Sequence, residues 1–250
     1  MFVSSPSDVE RERQRVDRVV ARLNGVFVGE LRFETIRWET GFYSAHQTFQ
    51  AQIPEAAECD VVVAILWSRL GTELPPGFPK MEDGSPYPSG AAYEILTAIR
   101  ARQTKDLPDV YVFRKTAQPL LAIDDEDELL RARAQWLRLR EFFERWFVSP
   151  QGHIRAAFQT FETADAFEER VEALLRAWAE EHVLGGRAAV WPIETLGSPF
   201  RGLAPFDFAS APVFFGRARD IARAIDRLKG ASERGLPFLL ILGPSGSGKS

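Results

Sequence analysis

The run Asp60-Val-Val-Val-Ala-Ile-Leu66 leaves this chain few folds to choose from. It is continuous, apolar and largely β-branched, without the polar alternation of a strand that faces water on one side. A strand of this kind is buried on both faces, and in a parallel sheet the connecting helices cover those faces. The flanking signals agree. Phe2–Ser5 reads as a short strand ending in small hydroxyls. Ser7 and Glu10 have capping-box spacing, and Val9, Val16, Val19, Val20 and Leu23 recur at helical intervals. They predict an amphipathic helix over 7–24 with an arginine-rich outer face, on which Arg11 and Arg13 either meet a phosphate or, more simply, stay exposed to solvent.

Alternation continues along the chain. Leu31–Trp38 is expected as a second strand and Thr48–Ala57 as a helix. Ser89 caps a helix reaching about Gln103, and Asp109–Arg114 reads as the next strand. The acidic run Asp124–Glu128 opens a helix to about Phe147 and complements the positive end of its dipole. Ile154–Phe161 is the last strand of the set. Asp165 and Glu168 begin a helix that gathers Phe167, Val171, Leu174, Leu175 and Trp178 on one face. Between the central strand and the helix at Ser89 lies the long segment 68–88, rich in proline and glycine. A loop of that length at the C-terminal end of a central strand is more often functional than idle.

Composition removes several alternatives. One cysteine, Cys59, excludes a disulfide framework and a cysteine-rich metal site and suits a reducing cytoplasm. A net charge of −4 argues against general nucleic-acid binding, and no apolar run is long enough for a membrane span. After His182 the texture changes: Gly185, Gly186, Pro192, Gly197 and Pro199 punctuate a stretch without period. The expected organisation is an α/β domain over 1–183, a linker over 184–199 and the start of a second α/β unit over 200–250. In that second unit a helix is expected over Ala218–Lys229 and an apolar strand over Phe238–Leu242.

Gly243-Pro-Ser-Gly-Ser-Gly-Lys-Ser250 follows that strand directly and matches G-x-x-x-x-G-K-[ST]. Gly243, Ser245, Gly246, Ser247 and Gly248 supply a backbone whose N–H groups can wrap phosphate oxygens. Lys249 reaches toward the β- and γ-phosphates and Ser250 ligates Mg2+ through the nucleotide. Upstream, Ser198-Pro-Phe-Arg-Gly-Leu-Ala-Pro-Phe206 and Phe214-Phe-Gly-Arg217 complete a pattern over 198–250. It closely resembles the beginning of the nucleotide-binding domain of bacterial STAND NTPases, signal-transducing relatives of the AAA+ ATPases. The resemblance implies ATP and Mg2+ as cofactors and places Phe215, Gly216 and Arg217 near the adenine. The acidic strand, sensors and lid of that family would lie beyond Ser250. Hydrolysis is therefore expected of a longer parent rather than of this chain, with the phosphate loop poorly ordered.

The opening Val3-Ser-Ser-Pro-Ser-Asp-Val-Glu-Arg-Glu-Arg13, with Asp60–Leu66 and Ser89-Gly-Ala-Ala-Tyr-Glu94, resembles a TIR-like domain often found at the N-terminus of STAND proteins. The resemblance covers about 1–180 and implies a flavodoxin-like parallel sheet with helices on both faces. Some relatives cleave the nicotinamide–ribose bond of NAD with a helical glutamate; others only assemble. Glu94 is the matching carboxylate, off the Ala92–Ile95–Leu96–Ile99 face and flanked by Ala91 and Ala98, either facing a ligand or solvated on the outer surface. Where well-known TIR enzymes carry a Trp-Cys pair before the glutamate, this chain has Ala92-Tyr93.

Open α/β sheets bind ligands at the C-terminal ends of their strands. Ser4 and Ser5, Trp38 and the adjacent Glu39, and Trp67 and Ser68 occupy those positions and are the NAD-binding candidates. A tryptophan there either stacks on a ligand ring or plugs the sheet edge.

These resemblances imply a cytoplasmic signalling or defence protein. Its ATP-binding STAND module would control a TIR-like effector through self-association, responding to a trigger sensed further along the chain. Two alternatives stand beside that expectation. One is a non-enzymatic adaptor that self-associates or recruits a partner effector. The other is a nucleotide-binding or deoxyribosyltransferase-like domain, since such folds share the sheet and a cleft carboxylate.

Overall fold

The structure, a computed structural model of the chain, describes residues 1–37, 55–120, 125–148, 156–183, 193–198, 202 and 218–243. It divides into two compact units, one comprising 1–17 and 34–164, the other 18–33 and 165–250.

The first unit is built on a parallel sheet. Its strands are β1 (Phe2–Ser4), β2 (Val61–Leu66), β3 (Asp109–Lys115) and β4 (Gln159–Phe161), in spatial order β1-β2-β3-β4. Every pairing is parallel, with Phe2 opposite Val62, Val61 opposite Asp109 and Phe113 opposite Gln159. On the far side of β1, Phe2 makes a parallel bridge to Ile36. Among the described residues the order is therefore the Ile36 segment, β1, β2, β3, β4, which is the flavodoxin-like arrangement 2-1-3-4-5. All six residues of β2 are buried, as a strand covered on both faces requires.

The expected strand over Leu31–Trp38 shrinks to that single bridge among the described residues, and Trp38 lies outside them. The Asn24 side chain explains the shortening. Its amide donates to the Phe33 carbonyl at 2.9 Å while its oxygen accepts from the Phe33 N–H at 2.7 Å. Both backbone groups of Phe33 are thereby withdrawn from any ladder. At Ile36 the backbone is free to pair again, accepting from Val3 N–H at 3.0 Å and donating to the Met1 carbonyl at 2.9 Å.

Helix α1 spans Glu10–Val26 behind a 3-10 turn at Ser7–Val9, and Val9, Val16, Val19, Val20 and Leu23 are all buried. The capping box does not form. The turn begins after Pro6 without a side-chain cap, Ser7 Oγ accepts from Arg69, and Glu10 binds Arg13 at 2.6 Å. A guanidinium one turn away is a stronger partner for Glu10 than a neutral backbone N–H.

Helix α2 (Gly90–Thr104) starts at Ser89, whose Oγ accepts from Ala92 N–H and donates to the Leu70 carbonyl. Helix α3 (Glu126–Trp146) starts at Asp125, which accepts from Glu128 N–H at 2.8 Å. One core joins Ala64, Leu66, Ile95, Val112, Leu139 and Phe143, and a second joins Phe2, Ala56, Val62 and Ala98. The 68–88 segment packs into the first core through Leu70, Met81 and Tyr87. Helix α3 pins it further: Gln135 bonds the backbone of Leu70 and Gly71, Arg138 pairs with Glu73, and Arg145 pairs with Asp83 at 2.8 Å.

In the second unit, α4 (Ala164–His182) buries Phe167, Val171, Leu175 and Trp178, with Leu174 only half-buried. Phe33 packs on Trp178 at 6.2 Å between centroids. Arg22 pairs with Glu172 at 2.6 Å and Glu168 at 3.1 Å. Burial pulls the Arg22 guanidinium down, and the two carboxylates more than offset it, holding it above its ordinary value. The unit also contains α5 (Ile193–Leu196) and α6 (Ala218–Glu233).

The expected strand Phe238–Leu242 is not formed. Phe238 is 73% exposed and Leu242 82%, and no described residue pairs with the run. A strand exists only as part of a hydrogen-bonded ladder, so apolar character without a neighbouring strand does not make one.

Candidate functional site

The sheet order identifies the place to look. From β1 the chain moves outward to the Ile36 segment, then returns across β1 to form β2 on its other side. Strand order therefore reverses between β1 and β2, and ligands of open α/β sheets bind outside the carboxyl ends of strands at such a switch point. Ser4 and Ser5 end β1 here, and Trp67 and Ser68 follow β2. The structure brings Glu94 to the same edge.

Glu94 is not a solvated helix residue. It is 7% exposed, and Ala91, Ala92, Ile95, Leu96 and Ala98 around it are buried as well. Ser4, fully buried, donates its hydroxyl to Glu94 Oε2 at 2.6 Å. Two residues 90 positions apart in sequence thus form a short hydrogen bond at the end of the first strand.

The opening Ser-Ser-Pro-Ser-Asp run is fixed residue by residue. Arg13, expected on an exposed helix face, is 4% exposed and turned inward. Its Nη1 donates to Ser5 Oγ at 3.2 Å and to the Pro6 carbonyl at 2.8 Å, while Nε and Nη2 hold Glu10. The planar fork of the guanidinium can serve a carbonyl, a hydroxyl and a carboxylate together, and an ammonium could not reproduce that geometry. Arg11 stays exposed as expected. Arginine-rich periodicity could not separate the two, because a buried arginine is tolerated only where local acceptors satisfy it. Arg15 is also buried, at 4% exposure.

Asp8 joins the two sides of the switch point. Its Oδ2 accepts from Ser68 N–H at 3.0 Å and from Ser68 Oγ at 2.8 Å. Ser68 is therefore a partner of the β1–α1 connection. Oδ1 of Asp8 is buried without a hydrogen-bond partner among the described residues.

Trp67 is held from two directions. Its indole N–H donates to the Ala117 carbonyl at 2.7 Å, and the Lys115 ammonium sits 4.0 Å from the ring centroid. Lys115 also pairs with Glu12 at 2.9 Å. At the Glu12 oxygen this contact is an ion pair by distance without hydrogen-bond alignment. The Glu12 side chain is 1% exposed and that of Lys115 13%. Asp8, Glu12 and Lys115 do not stand out in the sequence as parts of this edge. The available signal was position: Asp8 and Glu12 lie in the opening run, and Lys115 ends a strand of the sheet.

Among the described residues no group of three or more histidines, cysteines, aspartates and glutamates is arranged to hold a metal ion. No helix among them is long and apolar enough to cross a membrane. Trp38, Glu39, Phe215, Gly216, Arg217 and the run Ser245–Ser250 lie outside the described residues. Gly243 is described and exposed.

Residues 199–250 match the family model described as nSTAND1, Novel STAND NTPase 1. The match supports a STAND NTPase portion over these residues, and with it a nucleotide-binding module. No curated protein and no solved structure matches the chain.

Proposed function

We propose that the chain joins a TIR-like effector domain to a STAND nucleotide switch in a signalling or defence protein, and that the effector cleaves NAD at the nicotinamide–ribose bond when the protein self-associates. The observation that carries this reading is the buried Glu94 carboxylate tethered to the end of β1, beside a topological switch point. Losing nicotinamide leaves positive charge on the ribose C1′, and a fixed carboxylate stabilises such a centre or accepts from the ribose hydroxyls. A water then adds at C1′, giving ADP-ribose, nicotinamide and a proton. Burial strengthens that electrostatic effect because bulk water does not screen it.

ATP is the proposed ligand of the STAND portion. Backbone amides of a glycine-rich run, one lysine and one serine hydroxyl form a donor set suited to a triphosphate and Mg2+. Lys249 would hold the phosphates and Ser250 the cation. The proposed setting is cytoplasmic, with the nucleotide switch responding to a trigger.

Two measurements test these roles. The protein, clustered at high concentration, consumes NAD, and Glu94→Ala lowers turnover by roughly 100-fold or more while the circular dichroism spectrum is retained. Undiminished turnover in the variant overturns the role of Glu94. Absence of turnover by the clustered wild type favours the adaptor. Lys249→Ala weakens ATP binding by about tenfold or more, measured by titration calorimetry. Equal affinity removes Lys249 from the nucleotide site.

A further inference from the structure

We infer that Ser4 is a positioning residue for the Glu94 carboxylate rather than a direct contact to a ligand. The inference rests on reading Glu94 as the ligand-facing acid of this edge. Ser4 is fully buried, and a serine hydroxyl has one proton to give. That proton is directed to Glu94 Oε2 at 2.6 Å, which leaves none to donate to a substrate.

Both partners are held independently of the bond between them. Ser4 sits in the parallel ladder opposite Ala64, so β1 fixes its backbone. Glu94 lies one turn inside α2, whose start is pinned by the Ser89 cap. Ser4 therefore selects one orientation of the carboxylate and favours its charged form, because a donor to an ionised acid stabilises that form over the protonated one. A carboxylate kept ionised and oriented is what a developing positive charge at a ribose carbon requires. Ser5, one residue on, plays a different part, its hydroxyl accepting from Arg13.

The experiment follows the Glu94 carboxyl directly, without substrate. Isotope-edited infrared spectra of the protein carrying 13C-labelled glutamate are recorded against pH, and subtraction of the Glu94→Gln spectrum assigns the band. Ser4→Ala moves the titration midpoint upward, and Ser4→Thr, which keeps the hydroxyl, restores it. Ser4→Cys, nearly isosteric with a weaker donor, gives an intermediate move and serves if Ser4→Ala does not fold. An unchanged midpoint in the alanine and cysteine variants overturns the assignment.

NAD turnover supplies a second readout. Ser4→Ala lowers kcat by about tenfold with KM little changed, and shifts the acid limb of the pH–rate profile in the same direction as the band. The two readings fail separately. A wild type that consumes no NAD while the midpoint still depends on Ser4 removes the reaction and keeps the pairing. Turnover that requires Glu94 but ignores Ser4, with an unmoved midpoint, removes the pairing and keeps the reaction.

Discussion

Phe143→Ala lowers the stability of the first unit by about 3–5 kcal/mol, the range for truncating a buried phenylalanine. Phe143 is 1% exposed, and its ring lies 5.0 Å from Phe158, 5.2 Å from Phe147 and 6.0 Å from Phe142. The Arg114 guanidinium stands 4.6 Å above the same ring. Burial holds that guanidinium below its ordinary value, so the aromatic face compensates a partly desolvated cation.

Truncation therefore removes apolar contact, an aromatic cluster and a cation's partner together. It also weakens the attachment of β4. That strand pairs with β3 at only three positions, and Phe158 immediately precedes it. Urea denaturation read by tryptophan fluorescence measures the loss. Phe143→Leu, closer in volume, costs about 1.5 kcal/mol or less. A midpoint for Phe143→Ala equal to that of the wild type contradicts this account of the core.

Glu12→Ala is the second large effect, again about 3–5 kcal/mol, because it removes the fully buried carboxylate that pairs with the half-buried Lys115 ammonium. The cost comes from an uncompensated charge rather than from the intrinsic worth of the pair. A buried ion pair gives up hydration that its mutual attraction only roughly repays. Glu12→Leu combined with Lys115→Met accordingly recovers most of the loss, since apolar groups of similar volume need no partner. The Trp67 ring still faces Lys115 in the single variant and moderates the penalty, as a cation over an aromatic face contributes roughly 0.5–2 kcal/mol. Equal loss in the single and double variants would show that packing, not charge, dominates at this position.

These residues mark how far the sequence could be read. The apolar run at 60–66, the cap at Ser89, the acidic start of α3 and the helical spacing of the valines in α1 were legible because each follows from local geometry. Glu94 was legible only as a carboxylate of the right type in the right stretch. Helical periodicity placed it off the main apolar face, which fits a solvated residue equally well. Its burial depends on what packs against the other side of α2, including the segment around Ala56, which shares a core with Ala98. The Arg13 clamp was hidden for a similar reason. The residue type signals exposure, and only the folded β1–α1 connection supplies the acceptors that reverse it.

By itself the sequence determined the order of β1, β2 and β3 with helices between them, the parallel sheet and the glycine-rich run that ends in Lys249 and Ser250. Each is encoded in neighbouring residues through spacing, side-chain shape or backbone freedom. The tertiary structure alone decided that Ser4 meets Glu94, that Asp8 ties Ser68 across the switch point, and that Lys115 lies between Glu12 and Trp67. It also decided that Asn24 cuts the expected second strand short. All but the Asn24 bonds join segments distant in sequence, and a buried hydrogen bond or ion pair exists only when both partners are brought within about 3 Å by the packing of other residues.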